Sequence, residues 1–215
     1  MQDPTGIFSP IFESAYGYLR LSNLDGPDAK NLVASIMKCC RSPQAPQSVR
    51  GMLYRPDWRP HLVAAIALTM LPYEEETLEA LWRAIDTGSW VTPQLAAAAF
   101  LQDKDFSGQA RTRVQSGCKL HISQASLRSS TEEHGAGGAE SATRRSAKTA
   151  ASLARLIKLL PEPPSWTREA LSSVAFLELL EEDQDNSGKI AEDWLNSLTK
   201  ILTSLGVAAG NVSAS

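Results

Sequence analysis

The sequence predicts an all-α fold of stacked antiparallel helical hairpins, with about nine or ten helices, and three observations predict it. A phrase opened by tryptophan recurs: WRPHLVAAIALTML from Trp58, WVTPQLAAAAFLQD from Trp90 and WTREALSSVAFLEL from Trp166. Apolar residues elsewhere fall at i, i+3, i+4 and i+7, the spacing of one helix face. No run shows the period-two alternation of a half-buried strand.

The elements follow in order. Ser9-Pro10 reads as a cap followed by proline in the first turn, and Ile11, Phe12, Ala15 and Leu19 share a face, so a short helix is expected over about 10–20. After Gly26-Pro27, residues Leu32, Val33, Ile36, Met37 and Cys40 mark a second amphipathic helix. Prolines make Ser42 to Gln47 a loop, and Ser48 to Tyr54 reads as a short helix ending before Pro56. Asp57 is placed to cap the next helix, with Pro60 in its first turn and Pro72 beyond its end. Glu74, Glu75 and Glu76 open another, where carboxylates favour the positive end of the helix dipole, and Gly88 closes it. Thr92-Pro93 starts a helix whose body, LAAAAFL, is small and apolar enough for tight packing. Gln109 to Ser116 reads as a short polar outer helix.

From His121 to Ser146 the chain is rich in Ser, Gly, Ala and Thr and almost free of large apolar side chains, a composition that cannot bury enough surface to order itself. Order is expected again near Ala147, with Leu153, Leu156, Ile157 and Leu160 on one face. The third tryptophan phrase predicts one helix over about 167–182. The last helix carries Ile190, Trp194, Leu195, Leu198, Ile201 and Leu202 on one side and ends at Gly206.

The second and third phrases align without a gap over fifteen residues, Ser89 to Asp103 against Ser165 to Leu179, while the first is one residue shorter. Paired helices, proline near the start of the first helix, alanines on packing faces and a spacing in the low thirties resemble the HEAT and armadillo-like repeats. The resemblance covers roughly 48–117 and, more weakly, 147–206; it implies a right-handed α-solenoid and a surface for binding partners, with no particular activity. The expected organisation is N-terminal hairpins over 1–117, a flexible loop over 118–146, C-terminal hairpins over 147–206 and a tail over 207–215. The tryptophans, in like places in each repeat, are expected to plug hairpin junctions.

At 215 residues the chain suits one domain or a short array; 43% apolar and 21% charged residues are ordinary for a soluble globular protein, and a formal charge of -3 speaks against a wholesale nucleic-acid binder. Three cysteines, Cys39, Cys40 and Cys118, make no secreted disulfide framework. MQDPTGIFSP has no basic region followed by an apolar one, so no signal peptide is expected; no membrane span is expected either, and the cytoplasm is the default location. There is no Gly-rich phosphate loop, nucleophile elbow or HExxH, and Glu74 to Glu76 are explained by the helix start. No catalytic residue and no cofactor are expected.

Two constellations carry alternatives. Asp183, Asp185, Ser187 and Gly188 match the first positions of an EF-hand calcium loop, but Trp194 stands where the bidentate Glu belongs; the competing reading is a polar turn capping the next helix. Asp103, Asp105, Ser107 and Gly108 form a poorer echo, and Cys118 with His121 half of a zinc site. His61 and His134 have no partners in sequence, and His61, in the first turn of a helix, reads as a solvated or capping residue. Residues 104–158 hold ten basic and four acidic side chains, and Arg111, Arg113, Arg144, Arg145 and Lys148 would form a phosphate-facing surface. Phe106 is the only aromatic there, which gives base stacking little support. The leading expectation is a non-catalytic scaffold or adaptor that binds a protein partner through its solenoid surface. The alternatives are a nucleic-acid-associated helical protein using 104–158 and a calcium-responsive module using 183–188.

Overall fold

Helix ends follow from local chemistry. In the computed structural model, which describes residues 5–13, 17–118 and 142–207, Asp57 holds extended backbone and its carboxylate accepts from the Arg59 amide at 3.1 Å, starting a helix at Trp58. Glu75 and Glu76 occupy the first turn of the next, and Gly88 ends it with φ 72°, a left-handed geometry that lets the Ser89 amide reach back to the Ala84 carbonyl.

The described residues form twelve α-helices and no strand: α1 Ser9–Glu13, α2 Arg20–Asn23, α3 Gly26–Cys39, α4 Ala45–Leu53, α5 Trp58–Leu68, α6 Glu75–Asp86, α7 Thr92–Gln102, α8 Phe106–Gln115, α9 Ala142–Ile157, α10 Trp166–Leu171, α11 Val174–Glu181 and α12 Ser187–Ser204. None is long and apolar enough to cross a membrane.

Three local expectations are corrected. The helix expected over about 10–20 is instead α1, a 3-10 turn at Gly17–Leu19, and α2. The helix expected over 167–182 breaks at Ser172 and Ser173: the Ser172 hydroxyl donates to the Arg168 carbonyl, and Ser173 caps α11 by accepting from the Phe176 amide at 3.3 Å. Both serines satisfy backbone groups outside a continuous helix, so the chain turns there. The segment 118–146 is not all loop, because α9 begins at Ala142, where Arg144 and Lys148 gain a partner described below; residues 119–141 and the tail beyond Val207 lie outside the described residues.

Helix contacts set two rows. α3, α5, α7 and α9 touch in succession along one row; α4 lies against α6, and α8 against α10, in the other; α4–α5, α6–α7 and α8–α9 pair across them. Side chains join α6 to α8: the Arg113 guanidinium grips the Asp86 carboxylate with two bonds of 2.7 Å and lies 4.2 Å above the Trp82 ring. The far side of the first row is also covered. α2 and the 3-10 turn before it pack on α5, and α12 lies across α7 and α9, its contact with α9 being the most extensive between helices among the described residues.

The two covers meet. The buried Trp194 indole of α12 donates to the Leu21 carbonyl at 2.8 Å, 173 residues away in the chain, and Gln94 of α7 donates to the Ser22 carbonyl at 3.1 Å. This closure explains why α5 and α7 are apolar around their whole circumference. Every residue from Pro60 to Thr69 and from Val91 to Ala99 is buried, and the alanines of both helices allow close approach on every side. One continuous apolar core spans both expected halves.

Candidate interaction surfaces

The turn at 183–188 is built as a cap. Asp183 accepts from the Ser187 amide at 2.7 Å and from the Ser187 hydroxyl at 2.6 Å, satisfying the start of α12. Asp185 accepts from Arg144 at 2.8 Å through one carboxylate oxygen, and Lys148 stands 2.8 Å from the other. The hydrogen bond from Lys148, with the charges of both cations, holds the Asp185 carboxyl below its ordinary pKa. Gly188 is helical, and a side chain there would come within 2.8 Å of the Ala151 carbonyl, so glycine serves close packing of α12 on α9. These contacts speak for the polar-turn reading of Asp183, Asp185 and Ser187 and against the calcium one: Asp183 is engaged by Ser187, Asp185 by Arg144 and Lys148, and Ser187 is buried against its cap. The echo at Asp103 is likewise engaged, accepting from the Trp82 indole at 2.7 Å and from the Asp105 amide at 2.8 Å. Among the described residues no group of three or more His, Cys, Asp or Glu could hold a metal ion. Cys118 is buried, which pushes its thiol up to about 12; His121 and His134 lie outside the described residues.

The same contacts correct the basic surface. The structure brings Arg144 and Lys148 together on Asp185, with the Lys148 side chain only 6% exposed, and engages Arg113 with Asp86 on another helix. Arg145 is half-buried; Arg111 is exposed. A phosphate would have to compete with carboxylates already in place for three of the five cations.

A row of aromatic rings crosses the helix starts. Phe12, Tyr18, Trp58 and Trp90 follow one another with centroids 6.3, 6.2 and 4.9 Å apart. Trp58 and Trp90 therefore join neighbouring hairpins, but Trp90 is 56% exposed and does not plug its junction, because it precedes α7 by a turn of chain; Lys148 stands 5.8 Å from its ring. Beneath them His61 departs from expectation. It is only 2% exposed, with Nδ1 2.8 Å from the Ser89 hydroxyl and Nε2 3.0 Å from the Arg55 carbonyl. A carbonyl can only accept, so Nε2 carries the proton and Ser89 donates to Nδ1. Burial lowers the imidazole pKa to about 4. The Arg55 carbonyl and the charge of Asp57 favour the protonated ring, but burial outweighs them. It ties the end of α4 and the turn before α7 to α5.

The surface that sequence reasoning missed is on α10 and α11. Of the apolar run VAFLELL in α11, Phe176 alone is buried, while Val174 is 71% and Leu177 48% exposed. Leu171 of α10 continues the strip into an open groove of about 240 Å³ walled by Ile157 and Pro163, with Lys158 and Arg168 at its edge. Glu178, Glu181 and Glu182 are exposed beside the apolar residues. The signal was present in the repeat: Leu95, Ala98 and Leu101 of the second phrase align with Leu171, Val174 and Leu177 of the third. The first set is buried in α7, between α5, α6, α9 and α12; the second set is half-buried or open. Comparison of the chain with protein-family models, curated proteins and solved structures returns no match.

Proposed function

We propose that this chain is a non-catalytic helical scaffold or adaptor that binds a protein partner, and that it does so on the outer face formed by α10 and α11. The observation that carries the reading is α11 itself, a helix whose Val174 and Leu177 stand in water beside an apolar groove. Exposed large side chains that continue one another mark interaction sites more often than scattered ones do. The HEAT-like stacking of hairpins goes with this reading and is supported by the two rows, in which α4 lies on α6 and α5 on α7. A repeat array commonly offers one face of its stacked helices to partners; here α2 packs on α5 and α12 on α7 and α9, which leaves the α10–α11 side available. Three free thiols fit a reducing, cytoplasmic setting. The nucleic-acid alternative keeps only Arg111 as an exposed member of its cation set.

The test is a photoreactive amino acid placed at Leu177, with a control at Lys30 on α3, in the full chain expressed in its native host. A protein adduct from position 177 that is missing from position 30, and that disappears with Val174→Asp, supports the reading. Adducts of equal intensity at both positions, or none at 177, remove it.

A further inference from the structure

The occupant of the α10–α11 face can be given a chemistry, an inference that rests on the protein-binding reading above. We infer that this face receives a basic amphipathic helix of the partner, laid along α11 with its cationic end over Glu178, Glu181 and Glu182.

The molecule contains its own precedent. The second tryptophan phrase builds α7, and part of its cover is α12, an amphipathic helix whose apolar face carries Ala191, Trp194, Leu195, Leu198 and Leu202. The third phrase builds α10 and α11 with the same apolar register, yet among the described residues nothing covers Val174 and Leu177 as Ala98 and Leu101 are covered. What the third phrase lacks is the counterpart of α12. Eight residues of α11 span about 12 Å, room for about two turns of an incoming helix. Val174 against Ala98 keeps that position apolar, while Ser172-Ser173 against Ala96-Ala97 interrupt the helix, so an incoming helix would meet α11 and the groove rather than one continuous helix.

Charge selects the kind of helix. Glu178, Glu181 and Glu182 are exposed and make no ion pair among the described residues, and the carbonyl end of α11 adds to their negative field. At the groove end charges are mixed, Lys158 and Arg168 beside Glu169. A partner helix with lysines or arginines at one end and an apolar stripe therefore matches this face in both respects. An anionic bilayer would be repelled by the three carboxylates. A second copy of the chain lacks the complement, since the other exposed large apolar residues among the described ones, Leu19, Tyr54, Tyr73, Trp90, Leu159 and Ile190, are scattered over different segments.

The full chain is titrated with two synthetic amphipathic helices of one design, leucine with lysine and leucine with glutamate, at low and moderate salt. The lysine peptide should bind at least about tenfold more tightly than the glutamate peptide, with the preference shrinking as salt rises. Val174→Asp with Leu177→Asp should weaken it at least about tenfold at unchanged helicity and melting temperature. Glu178→Gln with Glu181→Gln and Glu182→Gln should bring the two peptides within about threefold of each other. Should the aspartates perturb folding, Val174→Ser with Leu177→Ser serves in their place. Equal binding of the two peptides, or lysine-peptide binding that ignores the Val174 and Leu177 substitutions, overturns the inference. So does concentration-dependent self-association, or capture by phosphatidylserine vesicles, that these substitutions abolish. If the peptides fail while the photoreactive side chain at position 177 still yields a specific protein adduct, the basic helix is wrong and the protein-binding reading stands. If both fail, both fall.

Discussion

Acidification from pH 7 to 4.5 should destabilise the fold through one side chain, His61. Its imidazole is buried against Ser89 and the Arg55 carbonyl, and burial is the largest cause of a pKa lowered to about 4 from the ordinary 6.5; the hydrogen bond to Arg55 and the charge of Asp57 oppose it without prevailing. The folded pKa lies below the unfolded one, so the unfolded chain takes up a proton first. Stability from this group is whole above about pH 6.5, declines as pH falls, and is lost below about 4. A difference of about 2.5 pKa units corresponds to about 3 kcal/mol in full. About 1 kcal/mol of it is gone by pH 5.5 and about 2 kcal/mol by pH 4.5. Urea unfolding monitored by far-ultraviolet circular dichroism at pH 7, 5.5 and 4.5 measures the loss. Carboxylates also titrate over the lower part of this range, so the comparison is with His61→Gln, which keeps a neutral polar side chain but cannot take up a proton. The variant should start less stable at pH 7 and lose less on acidification, the two curves converging by about 2 kcal/mol at pH 4.5. Parallel curves would mean that His61 is protonated in the fold as readily as outside it, and the buried tie between α4, α5 and the turn before α7 would be refuted.

Asp185→Asn removes the carboxylate that Arg144 and the buried Lys148 share and should lower stability by about 2 kcal/mol; Asp193→Asn, which breaks the exposed pair with Lys189, should change it by less than about 0.5 kcal/mol, both read from urea midpoints. Trp194→Phe keeps most of the buried ring but strands the Leu21 carbonyl, for a loss of about 1–2 kcal/mol and faster amide exchange around residues 20–24 than in α6. Aligned positions of the repeat should respond in opposite ways: Ala98→Asp places a charge in the buried α7 and should unfold the chain at a cost of about 4 kcal/mol or more, whereas Val174→Asp should stay within about 0.5 kcal/mol of the parent in thermal melts.

Much of the fold was legible because its signals are local. Asp57 as a cap, Gly88 as a stop and the alanine-rich body of α7 each act within a few residues, and the structure uses all three as expected. What was not legible is partnership. Asp185 with Ser187 and Gly188 resembles a calcium loop until Arg144 and Lys148, about forty residues earlier in the chain, close on it. His61 has no partner in sequence because Ser89 reaches it only once α5 and α7 lie side by side. The basic segment was read as a surface because charge counts do not reveal that Arg113 belongs to Asp86 and Lys148 to Asp185.

The tryptophan phrase carries the same lesson further. An apolar face in a sequence states that something covers it, and is silent about what. For the first two copies the cover is supplied within the chain, by α2 over α5 and by α12 over α7, and the result is two helices without a wet side. The third copy has the same register but two serines where α7 has two alanines, and those serines turn the backbone before Val174. A core helix losing its cover would be expected to lose its large apolar residues too, since nothing in the fold would then hold them. Val174 is instead larger than Ala98, and Leu177 matches Leu101. An exposed position that keeps or gains apolar bulk, on a helix that carries Glu178 and Glu181 and ends at Glu182, none of them ion-paired among the described residues, is poorly explained by folding alone. It is well explained if the cover for the third copy is supplied from outside, which is why the opposite responses of Ala98 and Val174 to aspartate bear on function as well as on stability.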